Sequence, residues 1–188
     1  MKSYYNLLAE IVFCIVLITS YGNQQLRKDM RAFMDSQIVF PNEVVMVKEG
    51  RYLSTRITCD KPLLVLFHGK EECSSCVINH LYEDLSGIEN VVKTGKCDIV
   101  ILFSPVQDEM LDIQEQIRDL KFPFPVYVDL YGDFYRLNAN FPSDKRFHSF
   151  LLGKDGHPKF VGNPLEGESL MLVFEKVLKK IDNDTKYH

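Results

Sequence analysis

Two uninterrupted apolar runs, Leu63-Leu64-Val65-Leu66-Phe67 and Ile99-Val100-Ile101-Leu102-Phe103, constrain this chain more than any other feature. A strand with an apolar residue at every position leaves no face for water, so both of its faces must be covered. Between the two runs, from Ser74 onward, Val77, Ile78, Leu81, Tyr82 and Leu85 recur at helical spacing, and the pattern predicts a helix ending before Gly87. A strand, a helix and a second strand at this separation predict a right-handed crossover between parallel neighbours.

The flanking segments extend that plan. Leu26, Met30, Phe33 and Met34 mark one face of a short helix over 24–36, and Glu43–Lys48 with Tyr52–Ile57 reads as a hairpin turning through Gly50. After the second buried run, Met110, Leu111, Ile113, Ile117 and Leu120 predict a helix packed on the sheet. Pro123 and Pro125 bracket a short strand, Val126–Asp129, followed by a loop with a helical turn over 131–141. Phe147–Leu152 and Lys159–Val161 read as two strands joined through Gly153-Lys154-Asp155-Gly156. Glu168–Ile181 reads as a closing helix, acidic in its first turn and basic in its last, as the helix dipole favours. The expected order is β-α-β-α-β, then a hairpin and a helix. No repeat or Gly/Ser linker divides it, and 188 residues suit one well-buried domain.

The N-terminus runs from Lys2 through apolar residues 7–19, interrupted only by Glu10, into Ser20-Tyr21-Gly22-Asn23. That profile predicts a signal peptide or N-terminal anchor over 1–22, with the folded domain at 23–188. The run is shorter than the ~20 apolar residues of a spanning helix, which favours a cleaved signal, with membrane association through the N-terminus as the other reading. Removing 1–22 deletes Lys2 and Glu10, so the net charge stays at −4, which excludes long-range attraction for nucleic acid. Five cysteines are present, four of them beyond the signal, and export with an even count points to an oxidising, extracytoplasmic compartment.

Cys73-Ser74-Ser75-Cys76 falls at the junction between the first buried strand and its helix. There the first sulfur meets unpaired backbone N–H groups and the positive end of the helix dipole, which favour thiolate over thiol. The second cysteine lies one turn on, within reach of a mixed disulfide formed at the first. Glu71 and Glu72 should oppose the thiolate by repulsion, and Lys70 should support it. A purely structural disulfide stays open as a reading. A zinc site needs a second paired ligand set, which isolated Cys59 and Cys97 do not supply, so no metal or other cofactor is expected. Those two cysteines precede neighbouring strands, and either pairing or two free thiols is compatible with the sequence.

With the dithiol at a strand-helix junction and the element order in hand, the chain resembles the thioredoxin-like superfamily, and most closely its exported TlpA-like thiol-disulfide proteins. The resemblance covers roughly 44–181, and Cys73-Ser74-Ser75-Cys76 is its specific motif. It implies an α/β fold of three layers, α/β/α, with a central mixed sheet and an N-terminal β-hairpin. It implies Cys73 as exposed nucleophile and Cys76 as the more buried resolving thiol, the two forming a catalytic disulfide. Family members usually carry an aromatic before the first cysteine, a cis-proline opening the strand that faces the dithiol, and a buried acid six residues before the first cysteine. Here those places hold Glu72, Phe147 or His148, and Phe67. The backbone at Phe147 and His148 is the expected substrate-binding edge, and an exposed His148 beside the cysteines is also open to a metal. His68, at the strand end, is a candidate proton carrier, although a strand-end histidine is more often simply packed.

The function expected is a thiol-disulfide oxidoreductase, a reductase or isomerase, acting on protein thiol/disulfide substrates with a redox partner protein in the periplasm or at a membrane. The alternative is a redox-inert binding or scaffold module of the same fold.

Overall fold

The computed structural model describes residues 24–106 and 109–186. The predicted N-terminal signal, 1–22, lies outside the described residues. A first helix, α1, covers 24–34, and the hairpin strands β1 (Val44–Lys48) and β2 (Arg51–Thr55) follow. They turn through Glu49 and Gly50, both in the left-handed region at φ 51° and 72°, as a tight two-residue connection demands.

Strand β3 (Leu63–Gly69) leads into α2 (Ser74–Glu83) and α3 (Leu85–Lys93), and β4 (Asp98–Ser104) returns parallel to β3. Helix α4 (Met110–Asp119) and β5 (Val126–Val128) repeat the crossover, and α5 (Asp133–Leu137) follows. Strands β6 (Ser149–Leu152) and β7 (Pro158–Val161) and helix α6 (Glu168–Lys186) complete the chain. The seven strands form one mixed sheet in the order β2-β1-β5-β4-β3-β6-β7.

Both faces of that sheet are covered, as the apolar runs require. Leu64, Leu66, Ile99, Ile101 and Phe103 pack on one side with Ile78 and Leu81 of α2, Ile88 and Val91 of α3, Ile113 and Ile117 of α4, and Phe174 of α6. Leu63, Val65, Phe67, Val100 and Leu102 face the other side, which Phe33 of α1, Phe134 of α5 and Phe141 close. Successive strand residues point to opposite faces, so each apolar run feeds two cores.

Three boundaries differ from the sequence reading. The helix after the dithiol breaks at Asp84, whose backbone sits at φ −89°, ψ 9°, and restarts at Leu85, so Gly87 lies inside α3 rather than ending a helix. Its lack of a side chain serves packing: a Cβ there would stand 3.0 Å from Leu165 Cδ2. Residues Lys145–Phe147 form a 3-10 turn capped by Asp144, and the strand opens at Ser149 instead of Phe147. Asp129 is no strand residue but a buried cap. It accepts the Asp133 and Phe134 N–H groups at 3.1 and 2.9 Å and the Ser104 hydroxyl at 3.3 Å.

Phe33 is fully buried and meets Phe141 and Phe150 edge-on, at centroid distances of 5.5 and 5.3 Å. It is the main apolar link from α1 to the sheet. Phe33→Ala is expected to cost about 3–5 kcal/mol. The check is a lower urea midpoint with an unchanged denaturant slope, and a midpoint equal to that of the wild type would show that α1 is not part of the cooperative core.

Candidate active site at the end of the central strand

Strand β3 is paired on both sides, parallel to β4 and antiparallel to β6, so its end is held in place. Cys73 caps α2 in extended conformation, at φ −72° and ψ 103°. Its Sγ accepts the Cys76 N–H at 3.3 Å, and the Val77 N–H closes the first helical bond to its carbonyl at 3.0 Å. The first turn of α2 holds no acidic side chain. Cys73 and Cys76 are disulfide-bonded with Cα atoms 5.3 Å apart, and both are solvent-exposed. The expected difference in burial between nucleophile and resolving thiol is therefore small. A thiolate released at Cys73 would face the same Cys76 N–H that the sulfur now caps.

The two residues between the cysteines are tied to α4. Ser74, buried, donates its hydroxyl to Glu109 Oε2 at 2.8 Å. Gln116 Nε2 donates to the Ser75 carbonyl and to Asn79 Oδ1, each at 3.0 Å. Sequence reasoning passed over Glu109 and Gln116, because their role depends on which face of α4 meets α2.

Glu72, expected to oppose a Cys73 thiolate by repulsion, is only partly exposed. Its carboxylate turns inward, with Oε1 receiving the Gly69 N–H at 3.3 Å and Oε2 lying 3.3 Å from His68 Nδ1. His148 Nδ1 stands 3.7 Å from Oε1, an ion-pair distance rather than a hydrogen bond. Burial by itself raises the Glu72 pKa, but the contacts from His148, His68 and the Gly69 N–H outweigh it and hold the carboxyl well below its ordinary range. Glu72 therefore stays ionised, so the repulsion on Cys73 expected from this residue remains, with exposed Glu71 next to it in the chain.

His148 is 4% exposed, so it is not the exposed side chain expected of a metal ligand. Its ring stacks on Phe141 at 5.0 Å, and Nε2 donates to the Pro142 carbonyl at 2.9 Å. Phe147 is half-buried, with the Arg146 guanidinium 5.7 Å above its ring, and borders a cavity of about 300 Å³ shared with Leu26 and Pro142. No cluster of side chains able to hold a metal ion occurs among the described residues. Phe67, at the position where the resemblance implies an acid, is enclosed by the rings of Phe134, Tyr135 and Phe141, an apolar cage that would leave a carboxylate without partners.

At the C-terminal ends of β3, β4 and β5, bordered by the turn that leads from β3 toward Cys73, lies an open groove of about 540 Å³. Lys70, Glu71, Val106, Leu130, Tyr131 and Tyr135 are among its walls. Tyr131 is 80% exposed, a large apolar surface with no structural use in the domain.

The fold of the chain has a counterpart among solved structures. The putative thiol:disulfide interchange protein DsbE from Chlorobium tepidum aligns over 76% of this chain and 98% of its own, with 15% identity and a TM-score of 0.50. The fold is thioredoxin-like. Other structures with a thioredoxin-like likeness to the chain include the thioredoxin domain of a thiol-disulfide oxidoreductase from Bacteroides vulgatus, with 18% identity and a TM-score of 0.49 over 76% of this chain and 98% of that one. AhpC from Enterococcus faecalis aligns over 82% of this chain and 95% of its own, with 14% identity and a TM-score of 0.49. At these identities the likeness is one of fold. No protein-family model and no curated protein matches the chain.

Within the thioredoxin-like fold the other two described cysteines stand apart. Cys59 and Cys97 are free, and do not pair. Burial, then the Asp98 charge, pushes the Cys97 thiol up to about 11, and burial with Asp155 and Asp60 raises Cys59. Neither is in an environment that favours a thiolate.

Glu72 titrates lower in the folded chain than in the unfolded one. Its charge therefore adds stability above the ordinary carboxyl range, and that contribution is lost as pH falls through the acidic range. Between about pH 7 and about pH 3, the wild type is expected to lose more unfolding free energy than Glu72→Gln. Urea titrations at the two pH values check this, and equal losses would show that the carboxylate is not held in the fold.

Proposed function

We propose that this protein is a thiol-disulfide oxidoreductase acting on protein substrates through Cys73 and Cys76. The observation that carries the reading is an exposed sulfur at the N-cap of α2, already paired with its neighbour one turn on. In the reduced form, the Cys73 thiolate attacks one sulfur of a substrate disulfide, forming a mixed disulfide and expelling the other substrate sulfur as thiolate. The Cys76 thiolate then attacks the Cys73 sulfur. The second substrate thiolate leaves, and the Cys73–Cys76 disulfide remains for a reducing partner protein to reopen.

A reductase or isomerase role fits the electrostatics better than a strong oxidant. Strong oxidants stabilise their reduced form heavily, whereas the Cys73 sulfur receives a single backbone N–H at 3.3 Å, with exposed Glu71 two residues away. The open groove walled by Tyr131, Leu130 and Val106 supports a protein substrate, and Phe147 and His148 form the proposed substrate-binding segment. The predicted export signal supports an extracytoplasmic site of action. Among the described residues, no helix is long and apolar enough to cross a membrane.

Insulin-disulfide reduction by the protein should fall to the uncatalysed rate in Cys73→Ser, while Cys76→Ser should accumulate mixed disulfides. Equal rates in wild type and Cys73→Ser would overturn the assignment and leave a redox-inert binding module. Tyr131→Ala should lower kcat/KM toward insulin about five-fold, the equivalent of ~1 kcal/mol of lost contact, and leave the reduction of a small aromatic disulfide unchanged. A parallel loss with both substrates would remove the groove from substrate recognition.

A further inference from the structure

The Glu72 cluster carries an inference that rests on the redox reading above and deepens it. His148 Nε2 donates to a carbonyl, which only accepts, so that nitrogen carries a hydrogen. The other ring nitrogen, Nδ1, then holds either a lone pair or the second proton of an imidazolium, and it faces the Glu72 carboxylate. His68 mirrors this arrangement. Its Nδ1 meets carboxylate Oε2 and so carries the hydrogen, which leaves Nε2 as the second position. His148 Nδ1 and His68 Nε2 are both buried and have no hydrogen-bond partner among the described residues. One carboxylate is thus enclosed by two imidazoles that each have one proton position open.

We propose that His68, Glu72 and His148 form a proton store for the dithiol: the cluster takes up one proton when Cys73–Cys76 is reduced and gives it back when the pair is oxidised. The reason is charge. Reduction creates a thiolate on Cys73, the residue bonded to Glu72, so a second negative charge appears beside the first. The two imidazoles that meet the carboxylate are packed against apolar rings, Phe103 beside His68 and Phe67 and Phe141 beside His148, which keeps bulk water from their inner faces. Adding a proton to either imidazole restores the balance. These residues position and balance charge, and the reacting sulfurs remain those of the cysteines.

The step closes in atoms and electrons. A substrate disulfide, the Cys73 thiolate, the Cys76 thiol and the protonated cluster give the Cys73–Cys76 disulfide, the deprotonated cluster and two substrate thiols. The substrate is reduced by two electrons and the dithiol is oxidised by two. One proton comes from Cys76 and the other from the cluster.

The remaining charged groups nearby are accounted for. Tyr135 of α5 faces Glu72, and burial with the charges of Glu72 and Glu71 raises its pKa, so it stays neutral. Lys145 donates to the Glu71 carbonyl at 2.7 Å, and Asp144, which faces His148, is held by Arg146. Lys70 is exposed on the same turn. Across the cavity beside His68 stand His80, Asp84 and Glu166, of which His80 pairs with Glu83, and Glu109 is engaged by Ser74.

The test is the equilibrium between the intact protein and the glutathione couple across about pH 5 to 8, with the Cys73 thiolate followed by its ultraviolet absorbance. Two glutathione thiols release two protons on oxidation, and Cys76 takes one. If the cluster takes the other, the wild-type equilibrium constant is nearly independent of pH where Cys73 is thiolate. In Glu72→Gln and in His68→Gln/His148→Asn it should rise up to tenfold per pH unit, because one proton is then released to solvent. A merely structural role would shift the constant by the same factor at every pH. Wild-type and variant slopes that coincide, while the disulfide still exchanges, overturn the store alone. A Cys73–Cys76 disulfide that never exchanges with glutathione overturns both this inference and the redox reading beneath it.

Discussion

A strand that is buried on both faces and paired on both edges cannot continue indefinitely, and where it stops the chain must find partners for the next backbone groups. Strand β3 stops at Gly69, and the chain passes in four residues from the most constrained strand of the sheet to the open N-terminus of α2. Helix N-termini carry unpaired N–H groups and a positive dipole end. Cys73 supplies the cap with a sulfur instead of the usual oxygen. Rigid strand, abrupt turn and unpaired helix end together place a sulfur at the surface of the fold without exposing the core beneath it.

The same junction has two supports of different kinds. On the outer side, Ser74–Glu109 and Gln116–Ser75 hydrogen bonds hold the α2 entrance against α4. On the inner side the Glu72 carboxylate is drawn under the turn by the Gly69 N–H and the two histidines. A carboxylate turned away from water is tolerated only when its charge is met, and here two donors, the Gly69 N–H and His68 Nδ1, meet it, with His148 at ion-pair distance. On the central strand itself, Phe67 sits in an aromatic cage of Phe134, Tyr135 and Phe141 that offers an acid no partner. Ionisable chemistry in this chain instead sits one layer nearer the surface, next to the cysteine itself.

Much of this was legible in the sequence because the signals are local. Apolar continuity of 63–67 and 99–103 reports coverage on both faces, helical periodicity after Ser74 reports the crossover, and the CxxC spacing reports one helical turn. Misreadings arose where two remote segments decide the outcome. Gly87 looked like a helix stop, yet its meaning lies in Leu165, and Phe147 looked like a strand opening, yet Asp144 caps it into a 3-10 turn. His148 looked exposed because its neighbours are polar or charged on one side, while Phe67, Phe141 and the Pro142 carbonyl enclose it.

By itself, then, the sequence determined which segments become strands and helices, that the sheet is covered on both sides, and that a dithiol opens a helix. Those properties follow from periodicity and from backbone geometry within a few residues. Only the tertiary structure decided the direction of the Glu72 side chain, the burial of His148, the anchoring of the cysteine loop to α4 and the groove under Tyr131. Each of these is a contact between residues far apart in the chain, and side-chain direction at such contacts is set by packing and by the need to satisfy buried polar groups, which no local pattern encodes.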